Sequence, residues 1–279
     1  MERTTAGIAA LIVLWSVSQA GSHEEAPETF EIHVPIDADG ARAQGLVAGS
    51  AEDGEALDAV VRLVRWRLAV AEIAAEVSLE DDEVLVTLPE DAKDDQATVS
   101  AVLGGLGGCE FFLQAQDDDV EDGLAAEYFH FLEWREANPD RPLLDYNADP
   151  ERSEPRLAWL PTRWMDKEGP PILILLPTDA TEAFSSNDFE SVFRTEDASG
   201  YPAIGFTLLD ERRDDFETFT ETGTGRRMAI VLAGTVRSAP TLNGKISGSG
   251  IIEGHFSDDE IEEFLSLLGA EEHPEHEKH

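Results

Sequence analysis

The chain has 279 residues, of which 59 are acidic and 20 are basic, so its net charge is -39 at pH 7. A field of this sign repels nucleic acid and anionic membrane surfaces, and neither is expected as a partner. Hydrophobic residues make up 42% of the chain, which excludes general disorder. The length is enough for one large domain or two small ones.

The first twenty residues have the pattern of a targeting segment. Arg3 precedes an apolar stretch at 6–17, and small residues at Ser18 and Ala20 suit cleavage by signal peptidase after Ala20. The stretch is shorter than the roughly 18 residues of a membrane-spanning helix. We predict a signal peptide over 1–20, with an uncleaved N-terminal anchor as the alternative. The expected location is outside the inner membrane, in the periplasm.

Residues 30–116 are predicted to form one subdomain. Alternating apolar residues indicate strands, and apolar residues repeating every three to four positions indicate helices. The expected elements are a strand at 30–36, a helix at 53–70, strands at 77–79 and 84–88, a helix at 95–106 and a strand at 109–115. This βαββαβ order is typical of a ferredoxin-like fold, in which two helices cover one face of a small antiparallel sheet.

A bridging region is predicted at 117–171. It opens with an acidic break and is expected to contain a helix at 125–137, a loop at 138–154 and an extended piece at 157–164. The candidates for exposed aromatic residues are Tyr128, Trp134, Trp159 and Trp164. Packing of these rings between the subdomains is the alternative.

A second α+β subdomain with an antiparallel sheet is predicted at 172–268, followed by a polar tail at 269–279. Its expected elements are strands at 172–176, 191–195 and 203–208 and a helix at 210–222, begun by Asp210 and ended by Gly223. A hairpin should then turn at Ala233-Gly234 and be extended by a third strand after a glycine-rich bend. Ser257 and Glu260 form a capping box that opens the last helix.

Two clusters could suggest ligand chemistry. The glycine run at 104–108 precedes a strand and lacks the Gly-Lys-Ser/Thr of a phosphate loop. Asp117, Asp119 and Glu121 stand at calcium-loop offsets, but the loop glycine comes one residue late and no glutamate stands at the twelfth position. A solvated acidic linker is the better interpretation. No cofactor or metal site is therefore predicted.

Other reactive side chains are equally isolated. Cys109 is the single cysteine and begins an apolar run, which favours a buried structural thiol. Metal could bind weakly at the tail histidines His273, His276 and His279. No nucleophile, base and orienting group stand together, so no catalytic residue is predicted and an enzyme is not expected.

Two segments of the second subdomain carry a family pattern. Residues 224–234 read TGRRMAIVLAG, and residues 200–208 read GYPAIGFTL. They resemble the "vGkrlAIVLdG" and "grpvVsFtl" motifs of the first large periplasmic domain of the SecD/SecDF protein-export family. Weaker similarities lie at 61–67, which resembles "viRnRid", and at 83–89, which resembles "ilVqlPG". The resemblance assigns 30–116 to the family's base and 172–268 to its head, and it implies a hinge in the bridging region near 117–123 and 169–171.

The resemblance implies a role in protein export. Ala233 stands where the family has aspartate, and no segment resembles the family's transmembrane bundle, so coupling to the proton-motive force is not expected of this chain. The expected function is non-enzymatic: assistance to translocation, or binding of unfolded or emerging polypeptide, with a Sec membrane translocase as a possible partner in trans. The alternative is a cell-envelope interaction module that uses 121–164 as its specific surface.

Overall fold

The computed structural model describes residues 30–268, apart from 35, 90, 91, 93, 94, 107, 153, 165, 166 and 255. The helices are α1 Ala38–Ala43, α2 Asp53–Val70, α3 Gln96–Gly104, α4 Leu124–Ala137, α5 Leu143–Asn147, α6 Arg213–Thr222 and α7 Asp258–Leu267. The strands are β1 Phe30–Val34, β2 Glu76–Glu80, β3 Glu83–Leu88, β4 Cys109–Leu113, β5 Leu157–Trp164, β6 Lys167–Leu175, β7 Phe184–Ser185, β8 Phe189–Glu196, β9 Pro202–Leu208, β10 Met228–Leu232, β11 Thr235–Ser238 and β12 Ser249–Ile252. The predicted N-terminal segment and polar tail lie outside the described residues.

The first sheet is antiparallel, with strand order β1-β3-β2, and helix α2 packs against it. Buried residues repeat along α2 at the spacing of one helical face, including Val60, Val64 and Leu68, and they join a core with Ile32 and Val86. Helix α2 has the bounds that its apolar period predicts. The predicted order of elements is therefore observed in this part of the chain.

The predicted ferredoxin-like sheet is wrong in one respect. In that fold the fourth strand lies beside the first, whereas β4 here pairs with β10 and β7 in another sheet. The burial of Cys109 to Phe112 explains the difference, because four consecutive buried residues need apolar cover on both faces of the strand. The interior of a six-stranded sheet supplies that cover, and the edge of a small sheet does not.

The central sheet has the order β6-β5-β11-β10-β4-β7 and is mixed, because β11 and β5 run parallel. Strand β10 is buried along its whole length, and its residues alternate between two cores. Met228 and Ile230 face the core that contains Phe216, whereas Ala229 and Val231 face the core that contains Val70 of α2. The central sheet thus separates two apolar layers.

The third sheet is antiparallel with the order β12-β9-β8, and α7 packs against it. Three predictions for this part of the chain are wrong. Strand β12 does not extend the β10–β11 hairpin but pairs with β9, on the side opposite β8. The α6 helix begins after a 3-10 turn at Asp210–Arg212 and lacks an Asp210 cap, and the left-handed glycine after it is Gly225 rather than Gly223.

The division into a base, a bridge and a head stays a prediction. The central sheet takes strands from all three predicted segments: β4 from the first, β5 from the second and β10 from the third. Gly169, in one proposed hinge, lies within β6 and pairs with Thr162 of β5. Helices α1 and α5 were not expected from the sequence pattern. The described residues contain no helix with both the length and the apolar character that crossing a membrane requires.

Candidate functional site

An exposed apolar row crosses the third sheet. Phe193 of β8 and Ile251 of β12 both pair with Gly205 of β9, so all three lie in one row on the same face. Phe193 is 43% exposed and Ile251 is 51% exposed. A Cβ at Gly205 would stand 2.4 Å from the Phe193 ring, so the glycine lets that ring lie flat over the middle strand. Large apolar side chains open to solvent on a sheet are typical of a binding surface.

This apolar row lies on the two outer strands of its sheet. Among the described residues, β8 and β12 each pair only with β9, so each has a free side on which another strand could add. Backbone groups at such an edge give affinity without sequence preference, and neighbouring apolar side chains add contact area. The surface is therefore suited chemically to an extended polypeptide.

A second exposed apolar surface lies on α4. Tyr128, Phe129 and Leu132 project from one side of this helix, and Phe129 is the most exposed of them at 63%. The opposite side packs on β5, where Phe131 stacks on Trp159 with ring centroids 4.3 Å apart. Among the predicted exposed rings, Tyr128 is open to solvent, whereas Trp159 is buried against Phe131 of the same bridging region.

A buried carboxylate fixes α4 in place. The Oε1 atom of Glu127 accepts hydrogen bonds from Arg152 Nη2 at 2.8 Å, from Trp159 Nε1 at 2.9 Å and from the Tyr146 hydroxyl at 3.2 Å. Burial, followed by the charge of Glu127, raises the pKa of Tyr146 to about 12, so its hydroxyl keeps the proton that it donates. This cluster was missed in the sequence because carboxylates are too numerous for any one to stand out. It orients the exposed apolar side of α4.

The clusters examined for ligand chemistry have structural roles. The carbonyl of Gly104 accepts a hydrogen bond from Asn187 Nδ2 at 2.9 Å, which ties the glycine run to the head. Asp119 pairs with Arg226, and Asp117 Oδ1 accepts from the amide of Leu124 at 2.9 Å. Cys109 is buried, as the sequence indicated. In the part of the chain that the structure describes, no three His, Cys, Asp or Glu side chains are placed to hold a metal ion. The three tail histidines lie outside it.

The fold and surfaces define an α+β domain of mixed and antiparallel sheets with open apolar faces. Comparison with known families then gives a direct assignment for one part: residues 163–272 match the family "SecDF, P1 head subdomain". The resemblance read from the AIVL motif and its flanking strands is thereby confirmed. The matched segment excludes β4 and nearly all of β5, so two strands of the central sheet come from the preceding part of the chain.

Relatives that match this chain include protein translocase subunits named SecD. The chain is 31% identical over 137 residues to "Protein translocase subunit SecD" of Aquifex aeolicus, covering 48% of this chain and 24% of that protein. It is 38% identical over 71 residues to the SecD subunit of Elusimicrobium minutum, covering 25% of this chain and 15% of that protein. This chain thus spans a quarter or less of these relatives.

A solved structure of "a membrane component SecDF that enhances protein export" gives a further match. It is 18% identical, and the match covers 86% of this chain and 92% of that one with a TM-score of 0.33. A score at this level does not establish a shared overall arrangement. The sequence matches therefore carry the relationship: the chain contains a SecD-like domain related to the accessory subunit of the Sec translocase.

Proposed function

We propose that this protein binds unfolded or emerging polypeptide outside the inner membrane and thereby assists protein translocation. The observation that carries the proposal is the apolar row of Phe193 and Ile251 on two free sheet edges, within a segment that matches the SecDF head. A client would add as an extended strand beside β8 or β12 and cover the row. No chemical step is involved.

Charge should select among clients. The chain carries 59 acidic and 20 basic residues. Arg194, the next residue of β8 after Phe193, lies on the opposite face of the sheet and is paired with Asp258 of α7. Basic segments are attracted by this field, neutral ones are little affected and acidic ones are repelled, and these effects are strongest at low salt. Affinity should therefore fall in the order basic, neutral and acidic client, and the difference should shrink as salt rises.

Site-specific photocrosslinking tests the proposal. A photoreactive phenylalanine analogue at Phe193 or Ile251 should crosslink to unfolded secreted proteins, and the same probe at exposed Glu211 is the matched control. Replacing both apolar residues, with Phe193→Ser and Ile251→Ser, should weaken client binding while thermal unfolding shows that the domain remains folded. Equal crosslinking from Glu211, or full binding by the double variant, would contradict the proposal.

The alternative function is an envelope interaction module, and the exposed side of α4 is the observation that favours it. Tyr128, Phe129 and Leu132 offer a pre-formed helical surface held rigidly by the Glu127 cluster. Such a surface suits one folded partner rather than many unfolded ones. A probe at Phe129 should then recover a single partner in stoichiometric amount. Crosslinks from Phe129 to many clients would reject this alternative.

A further inference from the structure

A cavity of about 300 Å³ lies between α2, the central sheet, the end of α4 and the start of α5, outside the third sheet. Arg67 of α2 and Glu110 of β4 line it, and Arg67 is only 4% exposed. The remaining wall is mainly apolar and includes Leu63, Leu106, Leu160 and Val231. A charged side chain buried this deeply normally has every donor satisfied.

Arg67 falls short of that expectation. Its Nη2 atom lies 3.3 Å from Glu110 Oε1 and 3.5 Å from Glu110 Oε2, both long for a charge-assisted hydrogen bond. Within the described part of the chain, its Nε and Nη1 atoms are buried and have no hydrogen-bond acceptor. The same holds for the indole Nε1 of Trp66, which also lines the cavity. Three buried N–H donor groups therefore lack an acceptor.

Charged side chains of both signs line the cavity. Arg67, Arg135 and Arg141 stand against Glu110 and Glu168. Because Arg141 is also paired with Asp145 at 2.8 Å, the open donors of Arg67, rather than a surplus of positive charge, favour an anion. Arg141 is more than half exposed, so the cavity meets solvent on that side. Burial raises the pKa of Glu110 while Arg67 opposes the rise. The long contacts to Glu110 use only the Nη2 atom of Arg67, so its Nε and Nη1 groups are open to a further acceptor.

We propose that this cavity binds a small apolar carboxylate, whose oxygens accept from Arg67 and Trp66 and whose hydrocarbon part lies against the leucine-rich wall. A planar carboxylate has two oxygens with several acceptor positions, which matches the guanidinium edge. The volume is at the lower end for ligand sites, so a group of a few carbons fits and an extended chain does not. The source of the carboxylate is either a free acid or the C-terminal end of a polypeptide.

Calorimetry and thermal shift with hexanoate test the site directly, with hexanol as the neutral control. Hexanoate should raise the unfolding temperature in a concentration-dependent way and bind about tenfold or more tightly than hexanol. N-acetyl-leucine, with its amide as the neutral control, distinguishes the two sources. If N-acetyl-leucine binds more tightly than hexanoate, the source is a chain end. If it binds more weakly than hexanoate, the source is a free acid. Each result supports a carboxylate site.

Variants connect the binding to Arg67. The double variant Arg67→Met with Glu110→Gln removes both charges together, which avoids leaving one buried without a partner. It should lose the hexanoate effect, whereas Arg65→Met on the same helix but outside the cavity should keep it. If the double variant does not fold, a crystal of the wild-type protein with hexanoate decides the question. Equal affinity for hexanol, hexanoate density away from Arg67, or a cavity that holds only water at high hexanoate would overturn the proposal.

Discussion

The turn at Ala233-Gly234 offers a sharp test of the local physics in this fold. Leu232 pairs with Thr235 across two residues whose φ angles are 45° and 73°. Two positive φ values define the type I′ turn that matches the twist of a hairpin. Gly234 adopts this conformation freely, but Ala233 has a Cβ that crowds the adjacent carbonyl. For such a residue the cost is about 1–2 kcal/mol.

Asparagine tolerates the left-handed conformation, because its short polar side chain bonds locally. Ala233→Asn should therefore raise the free energy of unfolding by about 1 kcal/mol, which corresponds to roughly 2–4 °C in a domain of this size. The hydrogen bond from the Ala233 amide to the Gly108 carbonyl, at 2.9 Å, uses the backbone and should survive the change. Urea and thermal unfolding measure the gain.

The matched control is Ala198→Asn, in the exposed turn between β8 and β9. Ala198 is not among the non-glycine residues with positive φ, so asparagine should give no gain there. Gly234→Ala tests the opposite direction. The backbone φ angle at this position is 73°, and an added Cβ would lie 3.1 Å from Gln44 Cβ. This variant should lose at least about 1 kcal/mol of unfolding free energy. Equal gains at 198 and 233, or a loss at 233, would refute the strain argument.

Three other predictions follow from buried or paired groups. Glu127→Ala should lower the free energy of unfolding by about 3–5 kcal/mol, because the buried Arg152 loses its partner; Glu133→Ala on the exposed side of α4 is the control, and a similar loss there would contradict the reasoning. Cys109 should react with thiol reagents only after unfolding, because burial raises its pKa and blocks access; rapid reaction of the native protein would show that β4 is accessible. Burial alone would raise the pKa of Asp145, but hydrogen bonds from Arg62 and Arg141 outweigh it and lower the pKa below its ordinary value. The stabilising contribution of Asp145 is present above the unfolded-state pKa of about 4 and is lost as pH falls through the lowered value. In urea titrations, the free energy of unfolding should therefore fall less on acidification in Asp145→Asn than in the wild type.

The regular elements could be predicted from local pattern alone. Helix α2 has the predicted bounds because its apolar residues keep the helical period over five turns, and the capping box at Ser257 forms with Glu260 as expected. Helix α1 was missed because its six residues carry little apolar pattern. It is held by Asp37, whose Oδ1 accepts from the amide of Gly40 at 2.7 Å. Such short helices depend on caps and tertiary contacts more than on period.

The exposed surfaces were only partly predictable for a different reason. Sequence marks an aromatic residue but does not say which side of an element meets solvent. Trp159 was a candidate for exposure, yet its indole donates to Glu127 beneath α4. Phe193 and Ile251 form one surface because the pairing of β8 and β12 with β9 places both beside Gly205. Binding surfaces built across strands therefore need the sheet pairing, which local pattern does not contain.

The placement of β4 shows how pairing also decides the architecture. The strand occurs where the sequence predicted it, but its partners are β10 and β7 rather than β1. Phe111 then joins the head core while Phe112, the next residue, faces the core that includes Val70 of α2. A strand buried on both faces connects two layers, so the matched head and the preceding segment share one sheet. Motion of the head against that segment would have to break the β4–β10 pairing, whereas α4 and the outer strands are free to engage a partner without it.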